Sequence, residues 1–266
     1  MKTGLVLEGG AFRTIFSSGV CDALLELPRL PDYVVGVSAG IAYGVSYLSR
    51  QKGRNLDILL HYSHDRRYMG PGNLLKPGNR RSYFGLEFVY EDIPNKLIPF
   101  DYDTFAAYPG EAEAVVTNLD TGKAEYFPVP ARDDHFELLQ ATCALPFLFP
   151  IYHLDGKPCM DGGAADGIPY ERAFQKGCDG VMVCGCHPGD CHYATGNYFT
   201  RRRFMLMKRL MEYNGIDPKR FQARWISGSE AAKFRDTVTR VAQEIKALGP
   251  NTRFREKWYE EGGVQE

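Results

Sequence analysis

Apolar runs of four or five residues alternate along the first part of this chain with stretches whose apolar positions recur at helical spacing. Residues 4–8 read as a buried strand, and Phe12, Ile15, Phe16, Val20, Leu24 and Leu27 then fall on one helical face, ended by Pro28 and Pro31. Tyr33 to Val37 is the next strand. Ile41, Val45 and Leu48 follow at helical spacing, and Asn55 is placed to cap a short helix bearing Leu56, Leu59 and Leu60. Glu113 to Asn118, the turn Asp120-Thr121-Gly122-Lys123 and Ala124 to Val129 predict a hairpin. Phe136 to Cys143 and Glu171 to Lys176 read as helices, and Gly180 to Cys184 as a strand. Arg201 to Tyr213 and Ser229 to Leu248 read as longer helices. Strands alternating with helices predict an α/β fold with a sheet covered on both faces. No internal repeat, low-complexity tract or linker interrupts the pattern.

Composition narrows the class. With 24% charged and 44% hydrophobic residues, the 266-residue chain has ordinary globular values. A net charge of -1 argues against a protein defined by nucleic-acid binding. The charge is uneven: Ala194 to Glu266 carries 15 Lys and Arg against 9 Asp and Glu, and the loop-rich stretch Arg50 to Arg81 carries eight against two. Seven scattered cysteines do not read as a secreted disulfide framework. Met1-Lys2 runs straight into a strand, and the longest apolar stretch, Ala144 to Tyr152, is broken by Pro146 and Pro150. The expectation is a cytoplasmic protein.

Candidate chemistry sits at two glycine-marked turns. Gly36-Val37-Ser38-Ala39-Gly40 matches G-x-S-x-G between a strand and a helix. Small residues are needed there because the turn is sharp. It lifts the serine hydroxyl out of the sheet and points the Ala39 N–H and the positive helix end at a reacting carbonyl. The earlier turn, Gly9-Gly10-Ala11-Phe12-Arg13-Thr14, is a poor dinucleotide fingerprint, since Ala11 and Thr14 stand where glycines are required. An anion-binding turn that supplies N–H donors to a transient oxyanion suits it better. A serine nucleophile needs a base. Asp161, ending a strand at Asp161-Gly162-Gly163, is the leading candidate on these residues, with His187 and His192 as alternatives.

Taken together, these motifs resemble the patatin-like phospholipase family over roughly residues 4–185. Also similar are Thr117-Asn118-Leu119-Asp120-Thr121-Gly122, Ala144-Leu145-Pro146 with Phe149-Pro150, and Asp166-Gly167-Ile168-Pro169. The resemblance implies a three-layer α/β/α sandwich with a mostly parallel central sheet. It further implies a catalytic domain over residues 1–193 and a mainly helical C-terminal extension over 194–266 packed on it. It makes Ser38 the nucleophile and Asp161 the base of a Ser–Asp dyad without histidine, with Gly9, Gly10, Ala11 and Ala39 lining the oxyanion hole. Ala11 and Thr14 depart from the family's usual Gly-Gly-Gly-x-Arg-Gly. An alanine keeps the N–H donor, in the intended direction only where its φ is negative.

The activity implied is lipid acyl hydrolysis of phospholipase A or lysophospholipase type, needing no cofactor. The alternatives are a non-lipid carboxylesterase or acyltransferase on the same dyad, or a non-catalytic lipid-binding protein. The expected partner is a phospholipid or another acyl ester, with no nucleic acid. Arg201-Arg202-Arg203 with Phe204, Leu206, Met207, Leu210 and Met211 has the pattern of a basic amphipathic helix that could rest on anionic membrane. A core helix with solvated arginines is the simpler reading. Arg13 reads as structural, tying its helix to an acid. Cys184, Cys186 and Cys191 with His187 and His192 invite a zinc reading. The loops are too tight for all five to face one ion, so no metal site is expected and Cys184 reads as a small core residue.

Overall fold

The computed structural model describes residues 2–190, 195–227 and 230–252. It divides into two units, Gly4–Pro169 and Tyr170–Glu266 with Met1–Thr3. The first unit ends at Pro169.

In the first unit, β1 (Gly4–Leu7), β2 (Tyr33–Val37) and the first part of β3 (Glu111–Asn118) run parallel. β4 (Ala124–Pro128) pairs antiparallel with β3 through the expected hairpin, and β5 (Tyr152–Leu154) and β6 (Lys157–Asp161) form a second one. The sheet is therefore mixed, with flanking helices, in an α/β sandwich. The helices are α1 (Ile15–Leu24), α2 (Ala39–Leu48), α3 (Arg54–Tyr62), α4 (Tyr102–Ala106) and α5 (Glu137–Thr142). Tyr33, Val34, Val35, Val37, Ala114, Val115 and Val116 have no exposed surface, so β2 and β3 form the centre of the core.

Two local expectations are corrected. The residues buried on the first helix are Thr14, Ser18, Cys21 and Leu24; of the expected apolar stripe only Leu24 is fully buried. A tight 3-10 turn at Ala11–Thr14 precedes α1, and Ser18 faces inward to accept a hydrogen bond from Asn55 at 2.9 Å. Asn55 does not cap α3. Gly53 does, while the Asn55 side chain also donates to the Tyr43 carbonyl and accepts from Ser46. The apolar residues Leu56 and Leu60 lie exposed.

The second unit holds α6 (Tyr170–Gln175), β7 (Val181–Gly185), α7 (Gly196–Tyr213), β8 (Phe221–Trp225) and α8 (Ala231–Leu248). β7 pairs in parallel with β8, from Val181 opposite Phe221 to Gly185 opposite Trp225. This β-α-β arrangement gives β7 a partner within its own unit, not in the main sheet.

Candidate active site

β3 decides where the site forms. β4 occupies one of its edges along Glu113–Thr117, so its remaining partners share the other edge. On that edge β2 runs parallel to β3 and stops with Val37 opposite Val115. β6 runs antiparallel and stops with Asp161 opposite Val116. The two strands thus meet head to head at their C-terminal ends, which places Ser38 beside Asp161.

Glycines make the meeting close enough. A Cβ at Gly40 would stand 2.5 Å from the Leu7 carbonyl oxygen, and one at Gly36 2.8 Å from the Ile41 nitrogen. The start of α2 therefore lies directly over the end of β1, and the Gly9 turn comes against the serine. A Cβ at Gly9 would stand 2.9 Å from the Ser38 Cβ. Ser38 itself has φ 54 and ψ -134, a strained conformation for a non-glycine residue, held by its surroundings. Its N–H donates to Thr142 Oγ1 at 2.9 Å, and that hydroxyl donates to the Val115 carbonyl at 2.5 Å.

Asp161 is 6% exposed. Its N–H donates to the Ala144 carbonyl, its carbonyl accepts from Thr117 Oγ1, and Oδ1 accepts from the Gly163 N–H at 2.8 Å. The other oxygen, Oδ2, is buried with no hydrogen-bond partner. Burial raises the pKa of this carboxyl above the ordinary carboxylate range; the Gly163 N–H and then the Ser38 hydroxyl pull it partly back. The Ser38 hydroxyl thus favours the charged form of this carboxylate, and less strongly than the Gly163 N–H does. Such an arrangement can take a proton from the serine.

Ala11 sits at the start of the 3-10 turn with φ 49. The left-handed conformation costs an L-residue ~1–2 kcal/mol, while glycine returns ~0.4–1 kcal/mol through its freer unfolded chain. Ala11→Gly is therefore expected to leave stability unchanged or raise it, by ~1.6 kcal/mol at most. A urea titration at neutral pH that showed clear destabilisation would contradict that φ. Nearby, burial raises the Glu8 pKa and the Arg13 charge opposes it, in line with Arg13 tying its helix to an acid.

Sequence reasoning missed Thr142, Cys143 and Tyr90. Cys143 interacts with both Tyr90 and Ser38; burial and the Asp161 charge push its thiol up to about 12, so it stays neutral. Two of these residues directly precede the Ala144-Leu145-Pro146 segment, which was the available signal. From Ser38 a cavity opens inward between α2 and the Phe88–Leu97 helical turns, walled by Ala42, Tyr43, Ile58, Val89, Ile93, Leu139 and Phe149.

The Cys/His run lies in the second unit. Cys184 is half-buried, its thiol pushed up by burial to about 11. Cys186 Sγ accepts from Asn197 at 3.2 Å, and His187 Nε2 lies 2.7 Å from Glu230 Oε2. Cys191 and His192 are outside the described residues. Among the described residues, no three His, Cys, Asp or Glu side chains group to hold a metal ion.

Comparison with known proteins follows the division of the fold. The family described as patatin-like phospholipase matches residues 5–174, nearly two thirds of the sequence. The chain belongs to that family, a family of lipid hydrolases. YjjU of Escherichia coli (strain K12), an uncharacterized protein, is 25% identical over 222 residues, covering 82% of this chain and 59% of that protein. VipD from Legionella pneumophila, a solved structure, covers 80% of this chain and 54% of that one, with a TM-score of 0.42 and 15% identity.

A second match, to the delta subunit of methyl-viologen-reducing hydrogenase, covers residues 168–249 and so coincides with the second unit. There the iron–sulfur subunit of the vhc F420-non-reducing hydrogenase of Methanococcus voltae is 46% identical over 81 residues, 30% of this chain and 56% of that protein. This chain thus spans little more than half the length of that protein and of YjjU. That protein's name implies an iron–sulfur cluster, which takes four thiolates in its [2Fe–2S] form. The matched segment holds Cys178, Cys184, Cys186 and Cys191. Cys178 is buried ahead of β7, beside Lys2, with ~10 Å of strand between Val181 and Cys184. Among the described residues Cys178, Cys184 and Cys186 do not group to hold a metal, and Cys191 lies outside them.

Proposed function

We propose that this protein is a serine lipid acyl hydrolase of phospholipase A or lysophospholipase type, working through a Ser38–Asp161 dyad and an acyl-enzyme. The observation that carries the reading is the head-to-head ending of β2 and β6 on one edge of β3, which sets a strained serine against a buried carboxylate. Asp161 accepts the Ser38 proton as Oγ bonds to the ester carbonyl carbon, and the carbonyl π pair moves onto oxygen. The N–H groups of Gly9, Gly10, Ala11 and Ala39 are the candidate donors to that oxyanion. The first N–H groups of a helical turn have no intrahelical acceptor, which leaves that of Ala39 available, whereas Ala11, with φ 49, does not meet the negative-φ condition for its N–H. Collapse of the intermediate breaks the ester C–O bond, and the alcohol or lysolipid leaves with the proton from Asp161. Water, deprotonated by the same carboxylate, then cleaves the acyl-enzyme and releases the fatty acid. Mass spectrometry of a mixed phospholipid extract after incubation tests this reading: free fatty acid and deacylated lipid are expected, and an unchanged extract would reject it.

Access to lipid fits the rim of the first unit. Phe147 is 98% exposed and Leu75 88% exposed, while Leu145, close to Phe147 in the sequence, lines the cavity. The basic stretch joins this loop directly: the Tyr83 N–H and the Ser82 hydroxyl donate to the Leu148 carbonyl, and Arg80 Nη2 donates to the Ile151 carbonyl. Apolar prongs beside Arg80 and Arg81 suit an anionic membrane surface. Among the described residues no helix is long and apolar enough to cross a membrane. Replacing both Leu75 and Phe147 by serine is expected to weaken sedimentation with phosphatidylglycerol-containing vesicles by at least about tenfold, since each side chain is worth ~1.5–3 kcal/mol when fully buried. Unaltered co-sedimentation would place the contact elsewhere, with the exposed basic helix α7 as the next candidate.

A further inference from the structure

The inner wall of the cavity carries a positive charge for which hydrolysis alone gives no use. Arg54, the first residue of α3, is 8% exposed and lines the cavity that begins at Ser38. Nη1 donates to Ser46 Oγ at 3.2 Å, Nη2 donates to the Ile98 carbonyl at 2.9 Å, and Phe100, another wall residue, lies 5.4 Å from the guanidinium carbon. Nε is buried with no hydrogen-bond partner. Among the described residues no carboxylate pairs with this side chain. A guanidinium has five N–H donors, of which two are used here, and a buried cation without a counter-charge is costly.

Helix α2 sets the scale. Ser38 immediately precedes it and Ser46, which holds Arg54, lies eight residues further on; at 1.5 Å per residue the separation is ~12 Å. An extended chain advances roughly 3.5 Å per three bonds, so that span takes about ten bonds. An acyl group esterified at Ser38 and lying along α2 would bring its far end to Arg54.

We infer that the preferred acyl group is of medium length and carries an anionic ω-terminus, a carboxylate, which the Arg54 guanidinium receives at the inner end of the cavity. The apolar walls accept the methylene chain, and the free N–H donors match a carboxylate fork. Burial lowers the Arg54 pKa to about 10, which leaves it charged at neutral pH. This inference rests on the hydrolase reading, since Ser38 fixes where the ester carbonyl lies.

Three soluble p-nitrophenyl esters separate the possibilities: that of decanoic acid, the monoester of decanedioic acid with its second carboxylate free, and the same compound with that carboxylate methylated. For the intact protein, kcat/KM is expected to be at least about tenfold higher for the free ω-carboxylate than for its methylated form. Arg54→Met should bring that ratio to one or below, and Arg54→Lys should retain part of it. Equal rates for the two diacid esters, with decanoate turned over and Ser38 labelled by a fluorophosphonate, would overturn the inference and leave the hydrolase reading standing. No turnover of any ester and no labelling would reject both. Should Arg54→Met fail to fold, the comparison of the three esters on the wild-type protein decides the question alone.

Discussion

Ser38→Ala is expected to lower ester hydrolysis by on the order of 10⁴-fold or more and to abolish labelling by a fluorophosphonate probe. The size follows from the route. Without Oγ no acyl-enzyme forms, and what remains is the small acceleration from backbone donors acting on direct attack by water. The neutral thiol of Cys143 is no substitute, since the thiolate is the reactive form and burial holds that pKa at about 12. The fold should survive, because the Ser38 N–H, not its hydroxyl, makes the bond to Thr142. Circular dichroism and a thermal melt establish that. A folded Ser38→Ala protein that still hydrolysed esters at the wild-type rate would remove the serine from the mechanism.

Asp161→Asn should reduce kcat by ~10²–10⁴-fold, the range for a lost general base, and should also stabilise the protein at neutral pH. The two effects share a cause. Burial raises the Asp161 pKa, so the folded state binds this proton more tightly than the unfolded chain does, and ionisation works against folding. The cost is absent below the ordinary carboxylate pKa and fully present above the raised one. Wild-type stability should therefore gain from this group as pH falls through the raised pKa. Asparagine removes the cost at neutral pH and retains an oxygen for the Gly163 N–H. The variant's melting temperature should exceed that of the wild type near pH 7, with the gap closing in acid. Catalysis needs the charged form, so the acid limb of the wild-type pH–rate profile should lie above the ordinary carboxylate range. Full activity in the Asp161→Asn protein would return the role of base to a histidine; His187 is engaged with Glu230.

The two turns were legible because each is a local problem with few solutions. Where helix α2 crosses the end of β1 at 2.5 Å from a would-be Cβ, only glycine serves at position 40, and the spacing of Gly36, Ser38 and Gly40 records that constraint directly. The hairpin Glu111–Asn118 to Ala124–Pro128 was equally local. Its turn is built on Asn118 Oδ1, which accepts from the N–H groups of Asp120 and Thr121. The first helix departs from its apolar periodicity because a 3-10 turn shifts the buried face, and because a hydrogen bond from Asn55 makes burial of Ser18 favourable. The strand at Val181–Gly185 falls by resemblance within the catalytic domain. Its true partner, β8, lies some forty residues further along, and no local pattern announces such a pairing.

By itself, then, the sequence determined the alternation of strands and helices, the strained serine turn, the glycine turn and the acid at the end of a strand. Those features follow from sterics and periodicity within a few residues. Tertiary structure alone decided that β2 and β6 share one edge of β3, that Thr142 reaches back 104 residues to hold the Ser38 amide, and that Asp161 is buried deeply enough to become a stronger base. It also placed Arg54 in the wall of the cavity. Register and burial are set by contacts between distant segments, and their energies exist only once the sheet has closed.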